Sequence, residues 1–253
     1  QFLRLSTAQI VGLTTAQFNN LDSADLVQWS TAQIRAIETR DLAAMDSADV
    51  ASLSADQLAA FSTAQMRALE TNDLAAISAT KVAQGFSSVQ IAALSSTQLN
   101  AMGTDQIAAL TQEQLGGLST AQLGSLETAS LDALSATQFG WLSTAQIVGL
   151  STLQFSQLES ADLLALSDNQ IAAIETRDIA ALDSADMAAL SATFLAAMTT
   201  AQVRAIETAD IGGIVANRIS AIGSAQIAAL SSAQLAALGS DQLAQLTQQQ
   251  IGA

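Results

Sequence analysis

The groups with most chemical scope in this chain are its 23 Asp and Glu residues, set among frequent Ser, Thr and Gln, with no His and no Cys. Grouped carboxylates bind calcium or work as general acid and base, and Ser near Asp is part of a hydrolytic triad. Neither arrangement is completed here. A triad lacks its imidazole base and its G-x-S-x-G turn, and neither a D-x-D-x-D-G loop nor a G-G-x-G-x-D nonapeptide occurs. The glycine pairs Gly116-Gly117 and Gly212-Gly213 sit inside a repeat and begin no phosphate-binding loop. We therefore expect no catalytic residue, no cofactor, no metal centre and no calcium dependence. The carboxylates read instead as helix caps.

Overall charge narrows the partners. A net charge of −15 disfavours nucleic acid and anionic membrane, both polyanions. Mean hydropathy is +0.35, but Ser, Thr, Gln or Asp recurs every few positions, so no run approaches the roughly 18–20 apolar residues of a spanning helix. Membrane insertion is not expected. Without Cys there is no disulfide framework, which leaves the compartment open.

What positions these side chains is an eight-residue repeat, written L-S-T-A-Q-I-A-A. Position 1 falls at Leu5, Leu13, Leu21, Trp29 and onward to Ile77. One extra residue near Gly85 then shifts the frame, which resumes at Phe86 and runs unbroken to Leu246. There are 31 octads in all, 10 before the shift and 21 after it. Positions 1 and 6 are large and apolar throughout, and positions 7 and 8 are mostly Ala or Gly. Position 5 is Gln or Asp in 27 octads, the exceptions being Lys81, Ser130, Phe194 and Arg218.

An unbroken α-helix is excluded by geometry, because eight residues at about 100° each leave the apolar positions drifting by roughly 80° per repeat. A strand is excluded by parity, since positions 1 and 6 would face opposite sides of a sheet. A short helix restarted in every octad fits. Position 2 is usually Ser, Thr, Asp or Gly, all favoured N-caps, and Gln or Asp follows three residues later to close a capping box, as in Ser6 with Gln9 or Ser30 with Gln33. The apolar residues at positions 1 and 6 are then the two halves of a hydrophobic staple. Glu occupies position 2 in six octads (Glu38, Glu70, Glu127, Glu159, Glu175 and Glu207), with the following Thr or Ser read as a substitute cap. Helices of one or two turns are not stable alone and must stack. The expected fold is an all-α solenoid, a superhelical coil of very short helices, one per octad. Its positions 1 and 6 would line a single continuous core across residues 1–253.

Neither the hand nor the number of octads per turn follows from the spacing. A weaker similarity relates residues 37–68 to 174–205, and Glu38/Glu70, Glu127/Glu159 and Glu175/Glu207 are each 32 apart. A four-octad turn and a duplicated segment both fit. Both ends stop in phase: Gln1-Phe2-Leu3-Arg4 reads as positions 5 to 8 of a preceding octad, and Ile251-Gly252-Ala253 closes the last. No atypical polar cap is visible, so we expect an excerpt of a longer array or a unit that stacks end to end. Arg35, Arg67 and Arg204 precede Glu38, Glu70 and Glu207 by three residues, which suggests surface ion pairs. Trp141 at position 8 and Phe194 at position 5 lie outside the staple and are candidate lateral contacts to another chain, with packing inside the groove the alternative. Lys81 and Gly85 mark a local kink.

The S-T-A-Q-I-x-A-L phrases, as in Ser6–Leu13 and Ser143–Leu150 and in variant form at Ser224–Leu230, resemble octapeptide-repeat arrays of large secreted bacterial surface proteins described as adhesin-like. The likeness covers the whole chain and is specific to the repeat phrase. It implies an extracellular or cell-surface structural protein: a filament, sheath or stalk whose partners are neighbouring copies of the array. The alternative is a binding solenoid, an adhesin recognising a protein or glycan.

Overall fold

A computed structural model describes residues 4–253 of the chain. The reading of Gln1-Phe2-Leu3 as part of a preceding octad lies outside the described residues. Among the described residues there are 31 helical segments and no strand: 29 α-helices of four to seven residues and two 3-10 helices, one segment per octad.

Most of the α-helices start where the capping box places them. At the first, Thr7–Val11, the Gln9 N–H donates to Ser6 Oγ at 3.3 Å while Gln9 Oε1 accepts the Ser6 N–H at 2.9 Å. The same reciprocal pair opens Thr31–Arg35, Ala55–Ala59, Thr63–Ala68 and many others. At Gly103 and Gly239 only the Gln half exists, with the cap N–H donating to Gln106 Oε1 at 2.7 Å and to Gln242 Oε1 at 2.8 Å. One expectation needs correcting at the Glu caps. Glu38, Glu127, Glu159 and Glu175 make no side-chain cap bond, and the Thr or Ser that follows is the first helical residue rather than a replacement cap. Where caps and helix formers both fail, the α-helix fails. Val215 cannot accept a cap bond, and Gly212-Gly213 weakens the preceding octad, so Ile211–Gly213 and Ala216–Ala221 are 3-10.

The extra residue is absorbed without breaking the stack. It lengthens the tenth helix, Ala79–Gly85, to seven residues, the longest described. Gly85 is needed because a Cβ there would stand 2.9 Å from Ala55 O.

The chain divides into two compact units, Gln1–Leu134 and Ser135–Ala253, and the octad frame runs through the junction in phase. In each unit a helix packs on the third helix after it. Ser47–Ser52 lies on Thr71–Ala76 and Ser88–Ala92 on Gln112–Gly117 in the first; Ala136–Trp141 lies on Ser160–Leu164 and Asp168–Ala173 on Ala192–Ala197 in the second. Positions 6 and 1 form the core of each unit. Leu58, Phe61, Met66 and Leu69 are buried in the first unit, and Ile171, Ile174, Ile179 and Leu182 in the second. In the first unit Phe18 and Trp29 meet edge to face, with ring centroids 5.9 Å apart.

Candidate functional site

Position 5 is where the polar chemistry of this chain is concentrated, and most of these side chains are buried. Gln57 is 3% exposed. Its Oε1 accepts the Ser54 N–H at 2.9 Å, and its Nε2 donates to Leu26 O at 2.9 Å and Trp29 O at 2.8 Å, 31 and 28 residues earlier. Gln65 repeats the pattern on Ile34 O and Ile37 O, both at 3.0 Å. In the second unit Gln170 reaches Phe139 O and Leu142 O, and Gln250 reaches Ile219 O and Ile222 O. One amide thus caps its own helix with its oxygen and ties down the preceding rung with both N–H groups.

These bonds set the pitch of each unit. Amides reach back 28 and 31 residues, whereas bonds to the third octad span 25 or 26, as from Arg35 Nε to Ala60 O and from Thr15 to Asp41. A rung therefore holds between three and four octads, so the 32-residue similarity is not the superhelical period. Across the inserted residue the same bonds lengthen by one in sequence: Gln90 and Gln98 reach 29 and 32 residues back.

Asp at position 5 works differently because a carboxylate cannot donate. Asp41 Oδ1 accepts from Thr15 Oγ1 at 2.8 Å, Asp49 Oδ1 from Ser23 Oγ at 2.7 Å, and Asp178 Oδ1 from Thr152 Oγ1 at 2.7 Å, each a position-3 hydroxyl 26 residues earlier. The E-T-R-D octads build matching ion-pair clusters. Arg40 Nη2 lies 2.7 Å from Glu38 and Arg40 Nε 3.6 Å from Asp41; Arg177 meets Glu175 and Asp178 in the same way. Thus Glu38 pairs with Arg40 on its own helix and not with Arg35, correcting the pairing expected from spacing. Neither Arg67 nor Arg204 pairs with Glu70 or Glu207 among the described ion pairs. Asp41 and Asp178 each keep one buried oxygen without a hydrogen-bond partner. Burial pushes the carboxyls of Asp49, Asp73 and Asp186 above the usual value of 3.8. Hydrogen bonds from Ser23 to Asp49 and from the Glu70 and Asp183 N–H groups to Asp73 and Asp186 oppose the rise.

Three of the four position-5 exceptions also have an account. Lys81 Nζ donates to Ala51 O at 2.6 Å, and Arg218 Nη1 to Ala188 O at 2.9 Å and to Leu190 O, so both cations replace the glutamine as donors. Phe194 is 1% exposed and belongs to the core of the second unit. It is not a lateral contact, because position 5 faces the earlier rung and an apolar side chain there is enclosed. Trp141 ends the helix Ala136–Trp141 and is partly exposed.

On the surface, shallow open grooves recur between helix starts three octads apart. One is lined by Arg67, Glu70, Thr71, Ser95, Thr97 and Gln98, and another in the second unit by Glu175, Thr176, Arg177 and Thr199. Among the described residues no group of three or more Asp or Glu is set to hold a metal ion, and no helix is long and apolar enough to cross a membrane.

Capped octads joined by a buried amide ladder define a helical repeat protein of solenoid type. The chain belongs to the ALTTAQ repeat family, whose model matches seven times, at residues 18–54, 34–71, 66–120, 112–144, 155–192, 179–214 and 219–253. The family phrase spells positions 8, 1, 2, 3, 4 and 5 of the octad, from the small residue through the apolar staple and cap to the bridging glutamine. No curated protein matches the chain. Among solved structures, the leucine-rich repeat-containing protein LegL7 from Legionella pneumophila is similar over 91% of this chain and 77% of that one, at 11% identity and a TM-score of 0.24. A likeness this slight carries no argument.

Proposed function

We propose that the chain is a structural scaffold: a filament, sheath or stalk segment at the cell surface or outside the cell, with no enzymatic activity. The observation that supports this reading is the use made of the position-5 groups. Within each unit many of them are spent on joining one rung to the next, as at Gln57, Lys81 and Gln114 in the first and at Arg218 and Gln250 in the second, so the chemistry serves cohesion. Resemblance to surface repeat arrays supports the location. Immunogold labelling of intact cells that make the protein tests it. Label at the cell periphery is expected; label confined to permeabilised cells would overturn the surface reading.

The recurrent open grooves favour a second reading, a binding solenoid for a protein or glycan. Saturable binding on a glycan or protein array, lost on Thr71→Arg and Thr97→Arg in the first groove, would decide for that reading over the scaffold.

A further inference from the structure

Two helices at equivalent places in the units, Ser47–Ser52 and Ser184–Ala189, follow the same D-S-A-D phrase, with Asp46 and Asp49 corresponding to Asp183 and Asp186. Each belongs to a column of carboxylates that crosses rung boundaries. Ser47–Ser52 packs on Ser23–Leu26, which brings Asp22 and Asp25, and on Thr71–Ala76, which brings Glu70 and Asp73. Ser184–Ala189 packs on Ile211–Gly213, which follows Asp210 and, one turn earlier, Glu207. Ser96–Ala101, packed on the other side of Thr71–Ala76, carries no charge.

The cations close to these columns are engaged elsewhere. Lys81 and Arg218 hold Ala51 O and Ala188 O, at the C-terminal ends of the same two helices. Arg67 shares a groove with Glu70 without pairing to it. Among the described ion pairs none joins Asp49, Asp73 or Asp186 to a cation, whereas Asp41 and Asp178 have Arg40 and Arg177 beside them. Asp73 is nevertheless 2% exposed and Asp49 7%. Each of the three commits one oxygen. Asp49 Oδ1 accepts from Ser23 Oγ at 2.7 Å, Asp73 Oδ2 from the Glu70 N–H at 3.1 Å, and Asp186 Oδ2 from the Asp183 N–H at 3.0 Å. The second oxygen of each can take a proton with that bond intact.

We propose that each column is an acid-operated joint between rungs, slack at neutral pH while its carboxylates repel one another, and firm once Asp49, Asp73 and Asp186 are protonated. A glutamine rung is tied by an uncharged amide and has nothing to titrate. An aspartate rung lacks the donor for the earlier carbonyls and sets a buried charge against like charges. Burial first, and then Asp46 and Asp22 at Asp49, Glu70 and Asp46 at Asp73, and Asp183 and Asp210 at Asp186, raise these carboxyls above 3.8. With the folded value above the unfolded one, the stabilising contribution is complete below about 3.8 and is lost as the pH rises through the folded value. The joints therefore stiffen as the solution becomes acidic. This goes beyond the scaffold reading and needs neither a location nor a partner, so it stands or falls separately from surface labelling.

Hydrogen exchange read by mass spectrometry on the 253-residue chain tests the joints, with protection factors compared at pH 7 and near pH 3.8. The glutamine rungs Gln112–Gly117 and Thr200–Ala205 serve as references within the same molecule. On acidification, protection in Ser47–Ser52, Thr71–Ala76 and Ser184–Ala189 should rise several-fold relative to them. Asp49→Asn/Asp73→Asn/Asp186→Asn keeps an acceptor oxygen and removes the charge. It should reach the parent's acid level of protection already at pH 7 and show no further rise. Asp56→Asn/Asp105→Asn, at exposed positions outside the columns, should leave the rise in place. An equal response in aspartate and glutamine rungs, a triple variant that keeps the rise, or its loss in the exposed control would each overturn the proposal. If the triple variant fails to fold, Asp73→Asn alone gives the same comparison within Thr71–Ala76.

Discussion

At the scale of single residues, the choice at position 5 carries the account. A capping box accepts Glu as readily as Gln, yet position 5 is Gln in 19 octads, Asp in eight and Glu in none. The cap needs only an oxygen; the carbonyls 28 and 31 residues back need an N–H. Gln65→Ala should therefore destabilise the protein by about 2–4 kcal/mol in urea or thermal unfolding, having orphaned the Ser62 N–H and left Ile34 O and Ile37 O without the amide. Gln65→Glu keeps the cap and tests the donor. Facing two carbonyls, its folded-state pKa must lie above the unfolded value, so its deficit should be largest at neutral pH and shrink as the pH falls. Asp73 obeys the same sign. Burial raises its pKa above 3.8, so its favourable contribution is complete below that value and is lost as the pH rises through the folded value. Asp73→Asn should raise the melting temperature at pH 7, and the gain should vanish below about pH 3.8. The cap was legible in the sequence because both partners lie three residues apart. The bridge was not, because its acceptors lie about 30 residues away at a distance only the rung defines, and the missing Glu was the one local trace of it. For the same reason the sequence left Phe194 open between a lateral contact and packing in the groove, and burial of position 5 decides for packing.

Among the elements, helix length and spacing follow from small residues that permit close approach. The pair Gly116-Gly117 separates propensity from packing within one helix, Gln112–Gly117. A Cβ at Gly116 meets nothing within 4 Å, whereas at Gly117 it would stand 2.8 Å from Ser88 O. Gly116→Ala should stabilise by about 0.5–1 kcal/mol through helix propensity alone. Gly117→Ala gains the same propensity but must push the Ser88 backbone away, and its melting temperature should fall below that of the parent. One helix per octad was readable from the caps and staples; the kink expected at Lys81 and Gly85 is instead a helix lengthened to seven residues, Ala79–Gly85. The two 3-10 segments were not singled out, although Val215 in the cap position announced one of them. The ion pairs were misplaced because spacing alone could not show that Arg40 turns back on Glu38.

For the whole molecule, the repeat and its core positions are local and therefore visible in the sequence, whereas the pitch is set by side chains reaching across a rung. Every such bond places octads that are three or four apart in contact, and this arrangement is the central claim. It is tested most directly by disulfide trapping, for which a chain without Cys is a clean background. Thr152 Oγ1 and Asp178 Oδ1 are 2.7 Å apart, while Arg177, one residue away, is 62% exposed. Thr152→Cys/Asp178→Cys should oxidise to an intramolecular crosslink that raises the melting temperature, and Thr152→Cys/Arg177→Cys should remain reduced under the same conditions. Failure of the first pair to close, or equal closure of both, would contradict a rung of between three and four octads and the amide ladder that rests on it.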